Sequence, residues 1–223
     1  MLLDDTFLQF TRGVPCAPLR SFDTDRAGDV SLCMLWLYTL ARTIYARSIL
    51  EIGCADGSTT LPLLKAAEEN NGNVQSVDMH NCEIAQYLVD ACGYREFWSL
   101  YEKGSDSFFS TCTTAYDLVF IDGDHSAVAV EKDLLNSWQH LAEGGYVVLH
   151  DWSPAHPSEY WRTREDPMSF GVGKAVQKCL PFLGKYVMLP VTPVSRPGMQ
   201  KEEAFLVIHK PRLNSNAYFE CSK

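Results

Sequence analysis

Positive charge is scarce in this chain: 19 Lys and Arg face 28 Asp and Glu, leaving a net charge of −9 at pH 7. The basic residues are scattered and form no stripe that could neutralise a phosphate backbone, which argues against nucleic acid as a partner. A long hydrophobic run is also missing. The most apolar stretch, Val30 to Ala41, is too short to cross a bilayer and runs into Arg42 and Arg47. It reads as a buried helix, with Asp29 as N-cap and Trp36 and Tyr38 as core residues, and no membrane association is expected. The first 30 residues lack a basic segment followed by an apolar one, the mark of an export signal. Eight cysteines, at 16, 33, 54, 82, 92, 112, 179 and 221, include no C-x-x-C pair. Reduced thiols in a cytoplasmic compartment are the expectation. Internal repeats and low-complexity tracts are absent.

What is present is material for one substantial core, since 46% of the 223 residues are hydrophobic. Short β-rich runs alternate with longer helical ones, the pattern of a mostly parallel sheet with helices on both faces. Strands are expected at Ser48–Ile52, Val74–Asp78, Phe97–Tyr101, Asp117–Asp122 and Tyr146–Leu149. Helices are expected at Thr59–Glu69, at Glu83–Cys92 closed by Gly93, near Ser105–Ser110, and at Ala127–Leu141 closed by Gly144-Gly145. Residues 152–170, rich in Pro, Ser, charge and aromatics, read as a long functional loop. A helix from Val172 to Leu180 then precedes two strands, Lys185–Leu189 and Ala204–His209, joined through Pro190–Gly198 as an antiparallel hairpin.

The stretch Ile49-Leu-Glu-Ile-Gly-Cys-Ala-Asp-Gly-Ser-Thr-Thr60 carries the most information. An apolar strand breaks into a glycine turn and restarts as a helix, so backbone can approach a ligand closely while free helix amides point at it. A dinucleotide fingerprint places glycines at i, i+2 and i+5. Gly53, Ala55 and Gly57 stand at i, i+2 and i+4, which makes a pyrophosphate cradle the poorer reading. In an open α/β sheet, ligands bind beyond the carboxyl ends of the strands, and here those ends are polar: Glu51 and the turn, Asp78, Asp122-Gly-Asp-His125, and His150-Asp151. Asp78 follows the turn by roughly the 20 residues at which a carboxylate meets ribose hydroxyls.

Leu50-Glu-Ile-Gly-Cys-Ala-Asp-Gly57, Val77-Asp-Met79, Asp117-Leu-Val-Phe-Ile-Asp-Gly-Asp-His125 and Gly144-Gly-Tyr-Val-Val-Leu-His-Asp151 occur in order. Together they resemble the class I S-adenosylmethionine-dependent methyltransferases over about residues 30–210, and in particular the branch containing many small-molecule O-methyltransferases. The resemblance implies a Rossmann-like fold with a central, mostly parallel seven-stranded sheet and a C-terminal antiparallel hairpin. The whole chain, 1–223, would be one methyltransferase domain: an N-terminal lid or arm at 1–28, a core at 29–210 with an active-site loop at 152–170, and a tail at 211–223. Glu51, Gly53 and Gly57 would line the methionine part of S-adenosylmethionine, Asp78 would hold the ribose and Met79 would flank the adenine. Ser105 and Asp106 would meet the adenine edge, and Asp122 would lie near the cofactor amine.

Metal-dependent relatives bind a divalent cation through acids after strands four and five, places that here hold Asp122, His150 and Asp151. Hard cations prefer oxygen ligands, so His150 would better suit a softer or borderline metal. The metal-free alternative makes His150 or His125 the general base, with Asp151 orienting the imidazole. His80, His140, His156 and His209 have no comparable placement. Cys54, inside the turn, reads as a compact packing residue ahead of a reactive thiol.

Two aromatic segments remain to build an acceptor pocket: Phe7, Phe10, Arg12, Arg20 and Phe22, and then Trp152, Tyr160, Trp161, Arg162, Arg164 and Phe170. Patching the core or an oligomer contact is the other use for them. The expectation is methyl transfer to a small-molecule acceptor, a hydroxyl first, by a chain that could form a homo-oligomer. A nicotinamide oxidoreductase is the rival enzyme class, and a cofactor-binding module without catalysis is the rival outside enzymes.

Overall fold

The computed structural model describes residues 34, 36–152, 171–191 and 205–212. The proposed lid at 1–28, the Asp29 cap, His156, all of the 152–170 loop except Trp152, most of the hairpin connection and nearly all of the tail lie outside them. A helix over residues 36–43 (α1) leads into β1 (Ser48–Ile52). There follow α2 (Thr60–Asn70), β2 (Asn73–Asp78), α3 (Glu83–Ala91), β3 (Trp98–Glu102), α4 (Ser105–Phe109), β4 (Tyr116–Ile121) and α5 (Ala127–His140). The chain closes with β5 (Leu141–Leu149), α6 (Gly171–Cys179), β6 (Val187–Val191) and β7 (Phe205–His209).

The seven strands form one sheet in the order β3-β2-β1-β4-β5-β7-β6. Pairings from β3 through β5 are parallel, and β7 runs antiparallel to both β5 and β6. Side-chain alternation along each strand feeds two cores. On β4, Leu118 and Phe120 join Leu37, Leu64 and Leu88 from α1, α2 and α3 on one face. Val119 and Ile121 join Phe108, Leu134 and Val176 from α4, α5 and α6 on the other. The sheet is therefore covered on both sides, and the chain reverses its direction of travel across the sheet between β1 and β4. That reversal opens the crevice where ligands of such sheets bind.

The boundary between α5 and β5 differs most from expectation. Gly144-Gly145 does not end α5; the helix stops at His140, Leu141 is already extended, and both glycines lie inside β5. Gly144 takes φ +87° next to a register shift between β4 and β5, and its amide donates to the Lys210 carbonyl at 2.7 Å. The stop signal is supplied from far along the chain. The Lys210 ammonium donates to the Trp138 and Leu141 carbonyls, at 3.0 and 2.8 Å, and so serves carbonyls the helix end leaves open.

Candidate active site

The turn after β1 is held from several sides. Gly53 (φ +88°), Ala55 (φ +43°) and Gly57 (φ +85°) occupy the left-handed region, which reverses the chain within a few residues. Asp78, at the end of β2, accepts the amides of Cys54 and Ala55 through one carboxylate oxygen, each at 3.0 Å, and that of His80 through the other at 2.9 Å. Asp78 thus fastens the turn while remaining half-buried beside it. Met79 is 70% exposed and lines an open hollow with His80, Asn81, Glu83, Gln86 and Glu102.

Glu51 does not face that hollow. It is fully buried and accepts hydroxyl donors from Thr59, Thr60 and Ser76 at 2.7, 2.7 and 2.6 Å, and Ser76 in turn accepts the Trp98 indole N–H. Burial pushes its carboxyl up to about 7 against the lowering effect of those three hydroxyls. Sequence reasoning missed Thr59, Thr60 and Ser76; their only signal is hydroxyl residues within reach of a strand acid. A native pKa raised above the unfolded one means that Glu51 keeps its proton while the unfolded chain loses it. Stability should therefore fall as pH rises from about 4.5 to about 7, by on the order of 3 kcal/mol from this group. Urea unfolding of wild type and Glu51→Gln at several pH values should show that fall in wild type and its loss in the variant; parallel curves would refute the assignment.

Ser105 and Asp106 have side-chain partners on α5. The Ser105 hydroxyl donates to buried Asp133 on α5, and Asp106 pairs with Lys132 at 2.7 Å and accepts from Asn136. Both side chains fasten α4 to α5.

At the ends of β4 and β5 the structure assembles Asp122, His125, His150 and Asp151. One Asp122 oxygen lies 3.2 Å from His125 Nε2 and 3.2 Å from His150 Nδ1. Asp151 reaches His125 Nδ1 at 3.4 Å and His150 Nδ1 at 3.5 Å. Burial works to raise the Asp122 carboxyl, yet His150 and His125 outweigh it and hold it below its ordinary value. His125 is raised, first by its bond to Asp122 and further by Asp151, against burial. The His150 ring stands edge-on between Phe120 and Phe205, with centroids at 6.3 and 5.2 Å. Asp151 itself sits at φ +53°, a conformation an aspartate tolerates better than most residues and one that recurs at functional sites.

For metal ligation His125 joins the expected Asp122, His150 and Asp151 as a candidate. Ligand-capable atoms of Asp122, His125 and His150 lie within 4.8 Å of one another. Two imidazoles and one carboxylate suit a borderline divalent cation better than magnesium.

The two halves of the site abut. Gly53 packs so tightly on the end of β4 that a β-carbon there would come within 2.2 Å of the Asp122 carbonyl oxygen. A glycine turn at the switch of a doubly wound sheet, an acid closing the second strand and a polar centre on the fourth and fifth define the class I methyltransferase fold. Residues 50–152 match the family model of a methyltransferase domain. None of the curated proteins matches the chain by sequence. Among solved structures, the O-methyltransferase from Bacillus cereus in complex with SAH is 16% identical, with a TM-score of 0.67 over 93% of this chain and 91% of that one. TomG from Streptomyces achromogenes, an O-methyltransferase involved in tomaymycin synthesis and bound to SAM, is 18% identical, with a TM-score of 0.65 over 95% and 90%. SAH-bound PaMTH1 from Podospora anserina is 18% identical, with a TM-score of 0.65 over 92% and 87%. At such identities the likeness establishes the fold. The resemblance to class I methyltransferases drawn from the motifs thus holds. No helix among the described residues is long and apolar enough to cross a membrane.

Proposed function

We propose that this chain transfers a methyl group from S-adenosylmethionine to a hydroxyl of a small molecule. The observation that carries the reading is the contact between the glycine turn and the Asp122–His150 centre, which sets a donor site against a proton-accepting one. When bound, the cofactor supplies an electrophilic methyl on a sulfonium. Asp78, with acceptor capacity left after fastening the turn, binds the ribose diol, and the turn amides receive the methionine end. His150 takes the acceptor's proton on Nε2, while Asp122 and Asp151 orient its Nδ1. His125, with a carboxylate at each nitrogen, clamps the two acids in place. The neighbours solved with SAM or SAH bound support the choice of cofactor.

A second reading is favoured by the convergence of Asp122, His125 and His150. Those three would hold a borderline divalent cation, which would lower the acceptor's pKa and relieve His150 of that duty. Activity that survives thorough chelation excludes it.

Calorimetric titration with S-adenosylhomocysteine tests the main reading, and absence of binding by the wild type would sink it. Asp78→Ala should weaken that binding about 10- to 100-fold, the worth of hydrogen bonds to a charged group. Unchanged affinity in a folded variant would reject the ribose assignment alone.

A further inference from the structure

Beside the turn lies a pair of thiols for which methyl transfer has no use. Cys54, in the turn, and Cys82, immediately before α3, are 28 residues apart in sequence, yet their sulfurs lie 3.1 Å apart. Both are buried, 2% and 1% exposed. A ligand-capable oxygen of Asp78 completes the group, all three atoms lying within 4.8 Å of one another. Two sulfurs and one carboxylate oxygen from three separate places in the chain match the donors of a zinc-type site that keeps a fourth position open.

The surroundings favour a cation. Burial acts first on both thiols, and the charges that add to it come from acids: Glu51 and Asp78 on each, with Glu102 also on Cys82. That field opposes formation of a bare thiolate, which must attack an oxidant if a disulfide is to form. A bound cation reverses the balance, because its charge is offset by the carboxylates of Asp78 and Glu102. Tetrahedral thiolate ligation at the usual metal–sulfur length needs the sulfurs about 3.7 Å apart, so the pair has only to open slightly.

We infer that Cys54, Cys82 and Asp78 form a binding site for a thiophilic divalent cation of the zinc class, and that this cation and the S-adenosyl cofactor exclude one another. Binding forms two metal–sulfur bonds and one metal–oxygen bond, and the two thiol protons leave to solvent without oxidation or reduction. The exclusion rests on the function proposed above, since it follows from Asp78 serving both ligands; the cation site does not. Coupling of this kind is reciprocal, so cofactor should weaken the cation as much as the cation weakens cofactor.

Cobalt(II) added to the reduced, full-length protein is the probe, read by the near-ultraviolet absorption of thiolate-to-cobalt charge transfer. The Asp122, His125 and His150 group has no sulfur and cannot produce that band. Wild type and His150→Ala should show it, and Cys54→Ser and Cys82→Ser should lose it while keeping the wild-type circular dichroism. Loss of an outer partner of a metal costs about 10- to 100-fold, so loss of a direct ligand should cost on the order of a hundredfold or more in cobalt affinity. Asp78→Asn should keep the band and bind more weakly. No band in wild type, or a band unchanged in Cys82→Ser, overturns the site. Should S-adenosylhomocysteine fail to bind the metal-free protein, the proposed function fails and the cation site stands. Equal binding to metal-free and cobalt-loaded protein overturns the exclusion.

Discussion

Gly53→Ala should abolish high-affinity cofactor binding and cost the fold about 3 kcal/mol or more, from left-handed strain and overpacking together. The added carbon would meet the Asp122 carbonyl oxygen at 2.2 Å, its carbon at 2.6 Å and the Gly123 α-carbon at 2.8 Å, at a φ of +88°. All three are backbone atoms, and they are not free to retreat: the Asp122 amide is bonded to the Ile52 carbonyl at 2.8 Å and the Gly53 amide to that of Val77 at 2.9 Å. Relief therefore requires the turn to leave the end of β4, which disperses the amides that would receive the ligand. Affinity for S-adenosylhomocysteine should fall by on the order of a hundredfold or more. Gly123→Ala is the control, because its nearest neighbour would be the Ile52 methyl at an ordinary 3.5 Å, and its stability should stay within about 0.5 kcal/mol of wild type. Denaturant unfolding and calorimetry on the two variants decide the matter; a well-folded Gly53→Ala protein with normal affinity would refute the packing argument.

Removing His150 should act on rate and leave donor binding nearly untouched. A positioned general base contributes on the order of 10² to 10⁴ in rate, and His150→Ala should forfeit that much of kcat with any acceptor the wild type methylates. Affinity for S-adenosylhomocysteine should change by less than about threefold, since on the proposed function the turn and Asp78 would bind the donor independently of the imidazole. Asp151→Asn should fall between, because it weakens orientation of the ring and preserves the ring itself. A His150→Ala enzyme that retains wild-type kcat across the pH range would remove the base from the mechanism. Loss of donor affinity with intact kcat would move His150 to the donor side.

The strands and their polar ends were legible because apolar runs that stop at an acid leave little choice in a doubly wound sheet. β1 occupies its expected residues, and most other elements begin or end within a residue or two. What the local sequence leaves unread has physical causes. A glycine pair after a helix reads the same whether it caps the helix or kinks a strand, and only Lys210, distant in sequence, decides between them at Gly144-Gly145. Ser105 and Asp106 stand after β3 as expected, and nothing in their local sequence reveals their bonds to Asp133 and Lys132 on α5. Glu51 could be seen to lie at the end of β1, while its enclosure by Thr59, Thr60 and Ser76 needs two elements brought together. The recruitment of His125 beside Asp122 follows from a tight passage from β4 into α5 that spacing alone leaves undetermined.

The position of β7 also governs how the chain can be made. Among the described residues β6 is hydrogen-bonded only to β7, and β7, which follows β6 in sequence, lies between β5 and β6. During synthesis β6 therefore leaves the ribosome with no strand to join, and the apolar edge of β5 at Val147, Val148 and Leu149 stays open until residue 209 has emerged. An unpaired apolar edge is a template for pairing with the wrong chain. Yield from cells should accordingly depend on translation speed and chaperone supply between β5 and β7, and a product cut short before Phe205 should aggregate.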